Sequence, residues 1–316
     1  MNLSPTRPMR DLFIETLCNK MAENKSIWFL AADLGSPALD RMRHEFPDRC
    51  INVGIAEQNL VNVATGLALE GQVVYGYAIA PFISMRAYEQ VRVNLSVSSQ
   101  IRPVNVNLIG VGGGVSYQVS GPTHHCLEDL SIMRLLPNMT VFSPSDAALA
   151  AAFVDYSIAH QSPKYLRFDG KALPVLYESV DQELLATGFC ELVSGSEVCL
   201  VSTGYMTQRA VKAAKDYGNM GVVDLFMLKP FDQEKLYKVL SKYNHIITIE
   251  EAFINGGGLD CAIASLLTDR RSSITLDRVG FNDRYVFDLG SREELHALNA
   301  MDNASIAALV SKLTGK

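Results

Sequence analysis

The sequence predicts an α/β protein built from two consecutive doubly wound sheet domains. Two observations predict it. Short β-rich runs alternate with stretches of helical apolar period along the whole chain, which is the rhythm of parallel strands with helices on both faces. That rhythm breaks once, at Asp169-Gly170-Lys171 and over residues 172–183, where no core pattern runs, and then resumes. The expected organisation is a first domain over residues 1–170, a linker over 171–183 and a second domain over 184–316. A chain of 316 residues is long enough to give each domain its own core.

The elements follow in order. Leu12, Phe13, Thr16, Leu17 and Met21 share one face of an amphipathic helix expected over residues 10–21. Ile27-Trp28-Phe29-Leu30-Ala31-Ala32 predicts a short buried strand ending at Asp33-Leu34-Gly35-Ser36. A strand over 73–78 precedes a helix over 83–96, with Arg86, Glu89 and Arg92 on its polar face. Residues 104–111 predict a strand that runs into Gly112-Gly113-Gly114. After the strand Thr140-Val141-Phe142, Ser143-Pro144-Ser145-Asp146 is a helix start, since Asp can cap and Pro tolerates the first turn. A helix over 147–160 and a strand over 165–168 complete the first unit. The second unit reads as strands over 197–204, 222–225 and 245–250, with helices over 206–216 and, after Gly256-Gly257-Gly258, over 259–267.

Composition excludes several classes. Net charge is −6 and Lys and Arg are scattered, which argues against nucleic acid or an anionic membrane as partner. The six cysteines are far apart and form no C-x-x-C pair, so the expectation is reduced thiols, a cytoplasmic location and no structural zinc. Residues 1–10 hold two prolines and no apolar core, unlike a secretory signal. The richest apolar run, over 73–83, contains Gly and Pro and is too short to span a bilayer.

Asn52-Val53-Gly54-Ile55-Ala56-Glu57-Gln58-Asn59 sets a single carboxylate at the start of a small, apolar helical run. A carboxylate buried there is costly unless it holds a proton or a partner. No Lys or Arg lies near Glu57 in the sequence, so its partner is expected from elsewhere. Two further segments stand out, Pro81-Phe82-Ile83-Ser84-Met85-Arg86-Ala87-Tyr88 and Gly121-Pro122-Thr123-His124-His125. Singly, each has a plainer reading: a Glu that favours a helix dipole, a core Phe, a structural His.

In this order and spacing, the three segments resemble the pyrimidine-binding half of transketolases and of deoxyxylulose-phosphate synthase. Ile249-Glu250-Glu251 followed by three glycines resembles the same family's C-terminal domain, so the likeness covers nearly the whole chain. The resemblance implies a thiamine-diphosphate pyrimidine-binding domain followed by a transketolase C-terminal-like domain, with thiamine diphosphate and Mg²⁺ as cofactors. Glu57 matches the family glutamate that bonds a pyrimidine ring nitrogen and so assists proton removal from the thiazolium. Phe82 matches the aromatic residue that stacks on the pyrimidine. Ile55 and Arg86 are counted with it as cofactor contacts, Arg86 as a support for the loop. His124 matches the histidine beside the reacting carbons of the donor ketose, where an imidazole can donate to a developing oxyanion or move a proton. Neighbours on an extended loop point apart, so His125 is not expected to share that task. Arg167 matches an arginine that binds sugar phosphate at a strand end, and Arg10 and Ser36 fall near further phosphate contacts.

No Gly-Asp-Gly occurs in the chain, the motif with which the family's diphosphate-binding domain holds Mg²⁺ through oxygen ligands. The expectation is therefore one subunit of a split enzyme, holding no metal itself, with a separate N-terminal subunit in an α2β2 assembly. Ser120 stands where transketolases have an Asp that reads a sugar hydroxyl, and Gly112 stands where the family has a phosphate-contacting His. Loss of such a contact redirects specificity and points to an unusual sugar as substrate. The leading expectation is two-carbon ketol transfer from a ketose to an aldose. The alternatives are the β subunit of a 2-oxo-acid dehydrogenase, a deoxyxylulose-phosphate-synthase-like carboligase, and a non-catalytic scaffold subunit. Glu250 and Glu251 read as a dimer contact or a solvated strand end, and His160, His245 and His296 as structural.

Overall fold

The structure, a computed structural model, describes residues 7–315. Residues 1–6, part of the stretch read as no secretory signal, lie outside the described residues. Among the described residues no helix is long and apolar enough to cross a membrane.

The first half of the chain supplies β1 (Ile27–Ala31), β2 (Cys50–Asn52), β3 (Val73–Ile79), β4 (Val106–Val111), β5 (Thr140–Phe142) and β6 (Lys164–Phe168). The second half supplies β7 (Cys190–Val193), β8 (Val198–Ser202), β9 (Met220–Asp224), β10 (Met227–Lys229), β11 (His245–Phe253) and β12 (Thr275–Phe281). They form a seven-stranded sheet of order β10-β5-β6-β4-β3-β1-β2 and a five-stranded sheet of order β12-β11-β8-β9-β7. All neighbours are parallel except β10 on β5 and β7 on β9.

Registers in the first sheet bring the carboxyl ends level. Ala31 pairs with both Asn52 and Tyr77, and Val111 pairs with both Ile79 and Phe168. Loops leaving these strands therefore open on one edge, where ligands meet α/β sheets. One face of the sheet is covered by α1 (Met9–Glu23) and the helix Ala147–Ala159, through Met9, Phe13, Leu149 and Phe153. The other is covered by α3 (Glu57–Leu69) and the helical run over 82–100, through Leu60, Ala64, Val91 and Leu95. The short helix α2 (Pro37–Glu45) follows β1.

The helix expected over 83–96 is present, but it is wound in π-type turns at Phe82–Arg86 and Val91–Val97. Ser84 Oγ donates to Ala80 O at 2.7 Å, a bond that competes with the backbone ladder. π-turns re-aim side chains and recur at functional sites, and this one carries both Phe82 and Arg86.

The halves are not beads on a tether. β10 comes from the second half of the chain yet closes the first sheet. The segment expected as a bare linker pairs Ala172–Leu173 with Arg7–Pro8 and buries Leu173 and Tyr177. Asp146 caps its helix by accepting from Leu149 N at 2.7 Å, and its second oxygen accepts from Leu176 N and Tyr177 N at 2.7 and 2.9 Å. Asp224, at the end of β9, accepts hydroxyl bonds from Ser145, Tyr177 and Thr207 at 2.5, 2.8 and 2.9 Å. Burial pushes its carboxyl up to about 7 against those three bonds, which pull the other way. One apolar core runs through both halves, from Leu60 and Leu108 to Cys199, Leu225 and Ile263.

Candidate active site

Glu57 is the first residue of α3, just past the carboxyl end of β2. The loop before it is fixed by Asn52, whose side-chain oxygen accepts from Gly54 N and Asp33 N and whose amide donates to Asp33 Oδ1. Gly54 adopts φ +77°, a left-handed conformation that glycine takes without steric cost. The carboxylate is buried, and at the helix start it faces the positive end of the dipole. The missing partner is Arg86, 29 positions away, whose Nη1 donates to Glu57 Oε2 at 2.6 Å. The two exposures differ sharply, 2% for Glu57 and 47% for Arg86. The guanidinium is thus the solvent-facing half of the pair and the carboxylate the buried half.

Arg86 also lies 4.7 Å over the ring of Phe82, a cation–π contact. Phe82 in turn meets the His124 ring edge-on at 5.3 Å. A buried carboxylate, a half-buried flat ring and an imidazole therefore converge at the carboxyl edge of the first sheet, drawn from the ends of β2, β3 and β4. His124 Nδ1 bonds the Thr123 hydroxyl at 3.0 Å, which leaves Nε2 for a ligand. His125 turns the other way. It is buried, and burial lowers its pKa. Ile55 is exposed beside Glu57.

The structure brings Arg10 and Ser36 together through Asp11. Arg10 Nε lies 3.3 Å from Asp11 Oδ1, and Ser36 Oγ donates to the same oxygen at 2.6 Å. Arg167, expected to bind sugar phosphate, lines a small pocket with Gly113 and Asp169, and most of its guanidinium is engaged within the fold: Nε donates to Asp129 Oδ2 at 2.8 Å, and Nη2 donates to the carbonyls of Cys126 and Glu251 at 2.9 and 2.8 Å. Tyr165 donates to the same Asp129 oxygen at 2.8 Å. Burial works against its charge, yet Asp129 holds its pKa above the ordinary arginine value. Asp129, which no local pattern in the sequence marks, captures this guanidinium across 38 positions. Arg167→Met should therefore destabilise the fold by about 3 kcal/mol, as unpairing a buried carboxylate does. Denaturant unfolding checks the loss, and KM values for phosphorylated and unphosphorylated sugars should move together.

The carboxylate pair at the end of β11 also departs from expectation. Neither residue is solvated. Glu250 receives the backbone N–H groups of Leu259 and Asp260 at 2.8 Å each and so caps the helix Leu259–Asp269. Burial pushes its carboxyl up to about 7. Glu251 takes a forked pair of bonds from Arg292, at 2.8 and 2.5 Å, and a 2.6 Å contact from His296 Nε2. Burial opposes its charge, but the Arg292 guanidinium holds it well below the usual carboxylate range. Arg292 Nη1 reaches across to Asp169 of the first domain at 2.6 Å, and its guanidinium lies 3.5 Å from the Tyr205 ring centre. The triple-glycine loop after β4 is explained by this cluster. A Cβ at Gly113 would lie 2.7 Å from Arg167 Nε, and one at Gly114 would lie 2.0 Å from Glu251 Oε2. His296, read as structural without a partner, has Glu251 as its partner.

A doubly wound domain presenting a buried Glu, an aromatic face and a His at one edge, fused to a second α/β domain, defines a cofactor-dependent group-transfer architecture. The chain matches the family described as "Transketolase, pyrimidine binding domain" over residues 6–175 and "Transketolase, C-terminal domain" over residues 190–306. It belongs to the transketolase family. It is 32% identical to one subunit of the apulose-4-phosphate transketolase of Actinobacillus succinogenes, covering 98% of this chain and 100% of that protein. It is 31% identical to the 6-deoxy-6-sulfo-D-fructose transketolase subunit SqwH of a Clostridium species, covering 87% and 85%. Among solved structures, one described as "Split gene transketolase, inactive beta4 tetramer" superposes with a TM-score of 0.84 at 31% identity, over 96% of this chain and 97% of that one.

Proposed function

We propose that this chain is the β-type subunit of a split, thiamine-diphosphate-dependent transketolase, which moves a two-carbon ketol unit from a ketose to an aldose acceptor. The observation that carries the reading is the convergence of Glu57, Phe82 and His124 on one sheet edge, with Arg86 as an exchangeable partner for the carboxylate. These residues fit the aminopyrimidine end of the cofactor, since a buried carboxylate wants an N–H donor and the ring of Phe82 wants a flat partner. Bound there, thiamine diphosphate supplies the carbon nucleophile that breaks and makes the sugar carbon–carbon bond. Glu57 holds or returns a proton at the pyrimidine nitrogen. Phe82 fixes the plane of the heterocycle and excludes water from one side. His124 Nε2 donates to the oxygen that gains charge on the sugar.

The diphosphate and Mg²⁺ go to a separate subunit, because the chain has no Gly-Asp-Gly with which to hold them. Two relatives named as transketolase subunits support this division. We assign the complex an α2β2 stoichiometry and a cytoplasmic location, the latter on scattered charge and six unpaired cysteines. The test is reconstitution with a partner carrying Gly-Asp-Gly. Ketol transfer should require both chains, and calorimetry of this chain alone should show weak cofactor uptake. Tight uptake and full turnover by the isolated chain would overturn the split-enzyme reading. Carbon dioxide release from pyruvate would reassign the reaction to a decarboxylating condensation, the activity named in relatives such as a Geobacter sulfurreducens 1-deoxy-D-xylulose-5-phosphate synthase.

A further inference from the structure

The amino edge of the first sheet, opposite the edge that carries Glu57 and His124, holds an open cleft of about 290 Å³. Three connections frame it: the turn from α3 into β3, the approach to β4, and the turn after the helix Ala147–Ala159. Leu69, Val73, Pro103 and Ile158 give it an apolar wall. Arg102 and Asn105 give it a polar side. Leu69 ends α3 and Glu57 starts it, so a helix of 13 residues separates the cleft from the catalytic edge by about 20 Å.

The charges around this cleft do not balance. Arg102 is exposed, and its guanidinium has no hydrogen-bond or ion-pair partner among the described residues. No Asp or Glu lines the cleft, and Glu70, next to it in the chain, is exposed. Asn105 is 5% exposed and fixed in orientation, because its amide donates to the carbonyls of Ser157 and Ile158 at 3.2 and 3.1 Å. Its oxygen therefore turns to Lys164, which is fully buried at the start of β6. Lys164 Nζ donates to Asn105 Oδ1 at 2.9 Å, to Ser162 O at 2.7 Å and to His160 O. Three acceptors use the three N–H bonds of an ammonium, and all three are neutral. Burial pushes the pKa of this amine well below the ordinary lysine value, and no carboxylate offsets that. A cation at the mouth and a cation behind the wall thus share a cleft with no acid of its own. In a poorly solvated setting such an imbalance favours an anion.

We propose that this cleft is a second binding site, which takes a small monocarboxylate with an apolar body about the size of one aromatic ring. Arg102 receives the carboxylate through its forked N–H groups, with the Lys164 charge acting through Asn105. The apolar wall takes the body; a ring of benzene size fits a cavity of about 150 Å³, so the volume holds both parts. The site is independent of the reaction at the opposite edge.

The test is a titration of 3-phenylpropionate into the full chain, followed by NMR, with 3-phenylpropanol as the uncharged probe of similar shape. The acid should give saturable shifts in the amides of residues 69–73, 102–105 and 158–162. The alcohol should bind about tenfold more weakly, the scale of one hydrogen bond to a charged group. Arg102→Gln should weaken the acid about tenfold and leave the alcohol unchanged. Gln161→Trp, at an exposed position on the rim, should fill the mouth and abolish binding of both. Equal affinity for acid and alcohol, or an acid affinity unchanged in Arg102→Gln, would overturn the carboxylate assignment. No saturable shift in these segments at about 10 mM acid, far weaker than a useful site, or binding retained in Gln161→Trp, would overturn the site itself.

Discussion

Glu57→Gln should cut kcat of the reconstituted complex by about 10²–10⁴-fold, the range for losing a positioned proton-transfer group, while the assembly elutes unchanged from a sizing column. The substitution keeps the size and planarity of the side chain. Its amide oxygen can still accept from Arg86, whose contact at 2.6 Å is half-open to solvent, so the local fold has no reason to give way. What is lost is the capacity to carry a proton. A carboxylate can hand a proton to a bound heterocycle and take it back. An amide cannot. Wild-type turnover in this variant would sink the catalytic assignment, and co-elution with the partner shows that any loss is not one of assembly.

The second large effect concerns the seam between the domains. Arg292→Met should destabilise the protein by about 5 kcal/mol, the upper end for breaking one buried ion pair. The reason is that two carboxylates share this single cation. Glu251 takes two of its bonds and Asp169 the third. Removing the guanidinium leaves both acids in a dry interface that His296 alone cannot neutralise. Arg292→Lys should recover only part of the loss, since an ammonium cannot make the forked contact. Denaturant unfolding of the three proteins is the measurement. A loss under about 1 kcal/mol, typical of a solvent-exposed pair, would show that water reaches the cluster and that the seam is held by apolar contacts instead.

Much of the fold was legible along the chain. The strands near 27, 73, 106, 140, 165, 198 and 245 lie where β-rich runs predicted them. Asp146 caps the helix it was expected to start. These features follow from local periodicity and capping chemistry, which need no knowledge of distant residues. The short strands Cys50–Asn52 and Met227–Lys229 were not legible. Each lies at an edge of the first sheet, Cys50–Asn52 against β1 and Met227–Lys229 against β5, so its strand character depends on a neighbour distant in sequence. The π-turns at Phe82–Arg86 and Val91–Val97 were likewise hidden, since an apolar period near 3.6 does not report a local change of winding.

For the site, the residue types and their order were enough to single out Glu57, Phe82 and His124, and the structure places all three at one edge. Charge partners were another matter. Glu57 looked unpaired until the sheet order carried Arg86 to it. Glu251 looked like a solvated strand end until Arg292, 41 positions on, closed over it.

The sequence by itself determined the two α/β domains and singled out Glu57, Phe82 and His124 as residues that carry chemistry. Only the tertiary structure decided which acceptors each arginine meets. Arg10 and Arg167 are indistinguishable as letters, yet Arg10 stays part-exposed beside Asp11, and Arg167 is buried against Asp129 and two backbone carbonyls. A guanidinium binds whatever acceptors come within about 3 Å. That set is fixed by strand order and register, which bring together residues far apart in the chain.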